Sequence, residues 1–121
     1  MAEPSIFSRI IAREIPATIV LETDRVIAFN DIAPQAPVHI VVTPKTEQYR
    51  DVVELAAGDP ELLAELVATA GRLADEHANG DFRLVFNTGA DAGQTVFHVH
   101  AHVLAGHDSA GGLGEGTVGS D

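Results

Sequence analysis

The sequence predicts an α+β fold in which one antiparallel sheet carries a long helix on one face. Three observations lead to this prediction. Five short runs with strand character follow one another, mostly through short connections, and one long amphipathic pattern separates the third run from the fourth. The chain of 121 residues is also long enough for a single domain with a hydrophobic core. With the helix on one face of the sheet, we expect the other face to carry the functional site.

The first half of the chain is predicted to form a short helix and three strands. Apolar residues at helical spacing predict a helix over residues 6–14, which stops before a proline. Two β-rich runs at residues 18–22 and 26–30 are separated by three polar residues, which is typical of a hairpin. A loop with two prolines leads to a third strand at residues 38–43. A short helical turn is expected around residues 52–57.

The longest helix has clear start and stop signals. Asp59 is a favoured N-cap, and Pro60 suits the first helical position. Asn79 and Gly80 are typical of a helix end. Between these signals, apolar residues form one stripe along the helix: Leu62, Leu63, Leu66, Val67, Ala70, Leu73 and Ala74.

Two further strands and a tail complete the chain. The fourth strand is predicted at residues 82–87, a glycine-rich turn at 88–95 and the fifth strand at 96–105. Residues 1–106 are therefore expected to form the domain. Glycine and acidic residues dominate residues 107–121, which have no periodicity, so we expect a flexible tail there.

The composition excludes several classes of function. The chain has 18 acidic and 7 basic residues, a net charge of −11, and this opposes the neutralisation of nucleic-acid phosphates. The absence of cysteine excludes disulfides and thiolate chemistry. No apolar run is long enough for a transmembrane helix, and the first residues do not resemble a secretory signal. We therefore expect a cytoplasmic protein that binds neither membranes nor nucleic acid.

Three histidines alternate with apolar residues near the end of the predicted domain. In a strand, His98, His100 and His102 share one face, and the opposite face carries an apolar row suited to the core: Phe97, Val99, Ala101 and Val103. Imidazole changes charge near neutral pH and serves as nucleophile, acid, base or metal ligand. This row is therefore the candidate site.

The spacing leaves two chemistries open. Neighbours on one face of a strand are about 6.8 Å apart, whereas zinc binds nitrogen at roughly 2.1 Å, so three histidines of one strand cannot share an ion. Two of them, with a further ligand such as His39, remain a candidate metal site. The alternative is nucleophilic catalysis, in which the middle imidazole attacks an electrophile such as phosphorus. A row of merely solvated histidines explains the strict alternation poorly.

Other polar residues divide into candidates and structural residues. Taken alone, the glycine-rich segment from Asn87 to Thr95 is typical of a plain turn. Its position directly before the histidine row favours a phosphate-binding loop. His77 lies near a helix C-terminus, where a cation suits the helix dipole, and is predicted to be structural. His107 is expected to be solvated. Asp31 is either a turn residue or a ligand of sugar hydroxyls.

These residues resemble a known family. The run from His98 to Leu104 fits the His-x-His-x-His signature, with apolar x, of the histidine triad superfamily. The segment from Phe29 to His39, together with Asn87-Thr88-Gly89 and Gly93-Gln94-Thr95, is similar to its Hint branch of nucleotide-binding proteins. The similarity extends over approximately residues 5–106.

The resemblance implies a fold, an activity and a set of roles. It implies a homodimer whose two five-stranded sheets join into one ten-stranded sheet, and hydrolysis of purine nucleoside 5′-phosphoramidates with no metal or other cofactor. His100 would be the nucleophile, and His98, His102 and His39 would orient it and relay protons. Thr95 would contact the leaving group, in the place of a family serine. The nucleotide, of the AMP or GMP type, would contact Asp31, Ile32, Asn87, Gly93, Gln94, Phe7, Ile10 and Phe29.

Two alternative functions remain beside this one. Hydrolysis of dinucleoside polyphosphates is the other activity that the resemblance implies. A nucleotide-binding or scaffolding protein with little turnover is the alternative outside the enzymes. The chain also departs from the animal relatives, because Asn30 stands where they commonly have histidine, Thr95 replaces a serine, and the tail lacks their tryptophan and proline-rich ending.

Overall fold

The computed structural model describes residues 4–106 and has the predicted α+β architecture. The helices are α1 (Ile6–Ile11), α2 (Val52–Gly58) and α3 (Pro60–His77). The strands are β1 (Ile19–Glu22), β2 (Val26–Asn30), β3 (Val38–Pro44), β4 (Arg83–Val85) and β5 (Ala101–Ala105). All neighbouring strands are antiparallel, in the order β1-β2-β3-β5-β4. No helix in this part of the chain is long and apolar enough to cross a membrane.

The two faces of the sheet are packed differently. Helix α3 covers one face, where its buried leucines pack against alternate residues of the strands in the main core cluster. The opposite face carries a smaller cluster: Phe7, Ile10, Phe29 and Val41. Because α1 supplies the first two of these residues, this helix lies on the face away from α3. The prediction that the site and the long helix lie on opposite faces is therefore consistent with the fold.

The local signals at the start of α3 act as predicted. The Asp59 carboxylate accepts a hydrogen bond from the Leu62 N–H, and Pro60 occupies the first turn. The helix ends at His77, close to the predicted stop. Val67 of the predicted stripe is 41% exposed, so the buried stripe is narrower than the apolar pattern.

The fifth strand is shorter than predicted, and this corrects the interpretation of residues 96–100. The strand begins at Ala101, because the backbone of Val99 bonds elsewhere: its carbonyl accepts from the Thr43 hydroxyl and its N–H donates to the Tyr49 carbonyl. Phe97, predicted to face the core, is 50% exposed. His98 and His100 therefore lie in an irregular segment that leads into the strand.

The bounds of two other elements differ from the predicted bounds by a few residues. Helix α1 ends at Ile11 rather than residue 14, and Arg13 takes a left-handed φ of 64° just beyond it. Strand β4 covers Arg83–Val85 rather than residues 82–87. The predicted tail at residues 107–121 lies outside the described residues, and so does His107.

Candidate active site

Four buried histidines lie together on the face of the sheet opposite α3. His39 on β3 and His102 on β5 come from paired strands, and their Nε2 and Nδ1 atoms are 2.8 Å apart. The His100 ring follows at 5.2 Å between centroids from that of His102. His98 completes the group and is only 1% exposed. The structure thus brings together all four histidines that the sequence singled out, although only one of the three alternating residues lies in a regular strand.

Backbone groups fix the tautomers of the His39–His102 pair. The Gln35 N–H donates to His39 Nδ1 at 3.0 Å, so the neutral ring of His39 carries its proton on Nε2. That proton is donated to His102 Nδ1, which leaves the proton of neutral His102 on its own Nε2. The pair is thereby arranged to hold and pass protons.

The other two histidines are fixed in the same way. His98 Nε2–H donates to the Pro44 carbonyl at 2.7 Å, so its Nδ1 is an acceptor. His100 Nδ1–H donates to the His98 carbonyl at 2.8 Å, which places the lone pair of His100 on Nε2. A neutral imidazole with a fixed lone pair is the form in which histidine acts as a nucleophile.

Asp31 lies at the end of this group and has the predicted role of a turn residue, whereas its binding of sugar hydroxyls stays a prediction. Its Oδ1 accepts the Ala33 N–H at 2.8 Å, which closes a local turn, and its Oδ2 lies 3.4 Å from His39 Nε2. Its carboxylate therefore lies at the histidine group while it holds the loop after β2.

The same residues form the candidate metal group. Within residues 4–106, ligand atoms of Asp31, His39 and His102 lie within 4.8 Å of one another. Coordination by His39 Nε2 would require removal of the proton that the Gln35 N–H places there, and it would break the hydrogen bond to His102. The hydrogen bonds therefore favour a proton-carrying pair over a metal site.

An apolar pocket of about 580 Å³ opens beside the histidines. Six of the predicted site residues line it: Phe7, Ile10, Phe29, Asp31, Ile32 and Thr95. The Phe7 ring packs at an angle against Phe29 and meets the His100 ring edge-on, with centroids 5.5 and 4.7 Å apart. Ile32 is fully exposed and therefore lies at the rim rather than in the wall. The pocket offers apolar walls, one of which, Phe7, contacts the His100 ring, and one carboxylate, Asp31, which lies beside His39.

The glycine-rich loop before the histidines is held by the side chain of Gln94. Its Oε1 accepts the Gly89 N–H, and its Nε2 donates to the carbonyls of Arg50 and Val96. Gly89 and Gly93 have φ angles of 91° and 96°, which favour glycine. Gln94 is only 2% exposed, so its amide supports the loop from the protein interior. The adjacent Thr95 is exposed at the pocket, and Asn87 is half-buried two residues after β4.

Sequence reasoning missed the residues that orient the histidines. Ser5 donates to His98 Nδ1 at 2.7 Å, the Pro44 carbonyl accepts from Nε2 of the same ring, and the Gln35 N–H fixes the ring of His39. Ser5 does carry a local signal, since serine before a helical pattern is a favoured N-cap, but no local pattern reports a contact across 93 residues. His77 is exposed at the end of α3, where it lines a second pocket with Asp31 and His39, and its structural role stays a prediction.

Burial of His98 leads to a prediction about stability and pH. Desolvation lowers the pKa of His98 below its usual 6.5, against the opposing effects of the Pro44 carbonyl and the Glu47 carboxylate. The unfolded chain therefore binds a proton at His98 more readily than the folded chain does. The contribution of His98 to the free energy of unfolding is complete above pH 6.5 and decreases as the pH drops below this value. One such proton changes the free energy of unfolding by at most about 1.4 kcal/mol per pH unit.

Urea unfolding of the wild type and His98→Asn at pH 7.5, 6.5 and 5.5 measures this contribution. We expect the wild type to lose more stability than the variant between pH 6.5 and 5.5. Glu22 and Glu47 also have lowered pKa values, but their usual value is 4.5, so their contributions are lost at lower pH. Equal losses in the two proteins would contradict the assignment to His98.

Comparisons with known proteins agree with this geometry. The model of the HIT domain family matches residues 12–109. An HIT-like protein of Synechocystis is 51% identical over 110 residues, which cover 88% of this chain and 93% of the relative. The purine nucleoside phosphoramidase of Escherichia coli K12 is 42% identical over 108 residues, which cover 88% of this chain and 90% of the relative.

Solved structures have the same fold. An HIT family hydrolase from Clostridium thermocellum superposes with a TM-score of 0.82 at 40% identity. The matched residues cover 90% of this chain and 96% of the hydrolase chain. A histidine triad protein from Clostridium difficile has a TM-score of 0.80 at 38% identity. The matched residues cover 89% of this chain and 96% of the Clostridium difficile chain.

Proposed function

Because the chain belongs to the HIT domain family, we propose that it is a nucleotide-binding hydrolase that cleaves the P–N bond of purine nucleoside 5′-phosphoramidates. The reaction proceeds through a nucleotide bonded covalently to His100. One observation carries the proposal: the lone pair of His100 lies on Nε2, in a ring that meets the wall of an apolar pocket bearing a carboxylate.

The pocket fits a purine nucleoside. Flat apolar walls from Phe7, Ile10 and Phe29 suit the faces of a purine ring, with Ile32 at the rim. The Asp31 carboxylate accepts hydrogen bonds from ribose hydroxyls. In this proposal Asn87, Gly93 and Gln94 line the phosphate site in the loop before the histidines, while the N–H groups of Gly93 and Gln94 donate to the Ala90 and Gly89 carbonyls and hold the shape of that loop. In this proposed binding mode the phosphorus lies next to His100.

The chemistry is a double displacement. His100 Nε2 attacks phosphorus, the P–N bond breaks, and the positive charge that develops on the ring is stabilised by the Nδ1–H bond to the His98 carbonyl. The departing amine takes up one proton, for which the His102 Nε2–H and the Thr95 hydroxyl are the proposed donors, with His39 behind His102. Water then attacks phosphorus, the P–Nε2 bond breaks, and the water returns one proton to the donor.

The relatives support the reaction type. A protein named purine nucleoside phosphoramidase shares 42% identity over 108 residues with this chain, and a similar solved structure is that of an HIT family hydrolase. The His-x-His-x-His run, the glycine-rich loop and Asp31 all belong to the aligned domain.

We further propose that the working unit is a homodimer with a ten-stranded sheet. Strand β4 lies at one edge of the sheet, where its outer side is available for pairing. Phe97, half exposed just before the histidines, supplies apolar surface of the kind that is buried between subunits. Light scattering of the purified chain is expected to give twice the monomer mass.

Hydrolysis of adenosine 5′-phosphoramidate in excess chelator tests the activity. We expect steady release of AMP, slower turnover of the 2′-deoxy analogue because Asp31 loses one partner, and weaker activity on a diadenosine polyphosphate. Faster polyphosphate cleavage would favour a dinucleoside polyphosphate hydrolase. Tight AMP binding without turnover would favour a nucleotide-binding or scaffolding protein, and loss of turnover with the chelator would restore the metal site.

A further inference from the structure

We propose that Ser5 is a positioning residue for this reaction, whose hydroxyl holds His98 in one tautomer and fastens the base-pocket helix α1 to the histidine group. The inference rests on the proposed function, but its structural part is measurable without turnover. Ser5 belongs neither to the histidine run nor to the glycine-rich loop, and it lies 93 residues from its partner in the chain.

The direction of the hydrogen bond follows from the neighbours of His98. His98 Nε2–H donates to the Pro44 carbonyl, so in the neutral ring Nδ1 is an acceptor. The Ser5 Oγ lies 2.7 Å from that Nδ1 and must therefore donate its proton. The lone pairs of the same oxygen accept the Ser8 N–H at 3.0 Å, which caps α1. One hydroxyl thus acts as a donor to the histidine and as an acceptor for the helix.

The His98 backbone transmits this constraint to the nucleophile. Its carbonyl accepts the His100 Nδ1–H at 2.8 Å, and that bond keeps the His100 lone pair on Nε2. A displaced His98 would move this carbonyl and weaken the preference for the reactive tautomer. Ser5 therefore acts on His100 through His98.

The same hydroxyl connects the base pocket to the histidines. Helix α1 carries Phe7 and Ile10, which line the pocket, and the Phe7 ring contacts the rings of His98 and His100 with centroids 5.9 and 4.7 Å apart. The helix has only six residues and is too short to be stable alone, so its position depends on tertiary contacts, which are the packing of Phe7 and Ile10 and the hydrogen bonds of Ser5. Ser5 provides the contact that joins this turn to the histidines.

Charge around His98 is compatible with this bond. The Ser5 N–H donates to the Glu47 carboxylate at 2.8 Å, and Glu47 and His100 are the ionisable neighbours whose charges act on His98. Burial lowers the pKa of His98, which keeps the ring neutral near pH 7. Only a neutral ring with its proton on Nε2 can accept from the serine.

Four variants separate capping from proton donation. Ser5→Ala removes both functions, Ser5→Asp keeps the cap but has no proton to donate, and Ser5→Thr keeps both. Ser8→Ala is the comparison variant, because it removes only a long 3.4 Å contact to Ser5 Oγ and keeps the capped Ser8 backbone N–H, and it is expected to retain most of the activity. We expect Ser5→Ala and Ser5→Asp to lower kcat about 10- to 100-fold, as misplacement of a reacting group does. The Kd for AMP should rise by a smaller factor, because α1 carries two residues of the pocket. Ser5→Thr is expected to recover most of the activity.

Nitrogen NMR of the His98 ring gives a readout independent of turnover. The wild type is expected to show the Nε2–H tautomer, Ser5→Ala a mixture, and Ser5→Asp a raised pKa for His98 with a matching shift in the pH profile of kcat. Wild-type kcat in Ser5→Ala and Ser5→Asp would overturn the positioning role, whether or not the tautomer changes. A wild type without turnover but with these NMR changes would overturn the proposed hydrolase and leave the Ser5–His98 bond in place.

Discussion

Replacement of His100 with alanine is expected to lower kcat for adenosine 5′-phosphoramidate by about 10,000-fold or more, because it removes the atom that bonds to phosphorus. AMP binding should change little, since the pocket walls and the Asp31 carboxylate remain. Steady-state kinetics and calorimetric titration with AMP measure the two effects on the same preparation.

His77→Ala is the matched control, because it changes a histidine that is exposed at the end of α3. It is expected to retain the wild-type kcat. A His100→Ala variant that keeps more than about one tenth of the wild-type rate would show that another group, or water itself, attacks phosphorus.

Among the substitutions considered, Gln94→Glu is expected to lower the free energy of unfolding most, by about 2–4 kcal/mol at pH 7. It buries a carboxylate of which one oxygen faces neighbours that cannot donate hydrogen bonds to it. The amide Nε2 of Gln94 donates to two backbone carbonyls, and a carboxylate of the same shape presents lone pairs to both. The new side chain must either stay charged against these carbonyls or take up a proton, so its pKa should rise. Part of the lost stability should therefore return when the pH is lowered from 7 to 5.

Urea unfolding at both pH values measures this effect, with Gln48→Glu at an exposed position as the matched control. The control is expected to change stability by less than about 0.5 kcal/mol. Activity of Gln94→Glu should fall as well, because the side chain holds the loop that leads to Thr95. A Gln94→Glu protein as stable and as active as the control would contradict the role assigned to this amide.

Local chemistry explains which parts of the fold were predictable. Helix α3 begins and ends close to the predicted residues, because Asp59 and Pro60 at its start and Gly80 after its end act through their immediate neighbours. The pairing of β3 with β5 brings His39 to His102, as the alternation of each strand allowed. These features depend on periodicity and on short-range signals.

Tertiary contacts decided the parts that were not predictable. The alternation through residues 96–100 imitates a strand, but the Thr43 hydroxyl and the Tyr49 carbonyl bind the backbone of Val99 and keep it out of the sheet. The roles of Ser5 and of the Gln35 N–H depend on contacts that no local pattern encodes. The sequence therefore indicated which histidines form the group, and the structure supplied the bonds that fix their protons.

Detection of the nucleotide on His100 during a single turnover tests the central proposal most directly. Excess wild-type protein is mixed with adenosine 5′-phosphoramidate, quenched in base at short times, digested and analysed by mass spectrometry. We predict that the peptide containing residues 98–102 gains one adenylyl group on His100 and loses it as AMP appears. Release of AMP at the same rate with no adenylylated peptide, or with the group on a different histidine, would contradict the account.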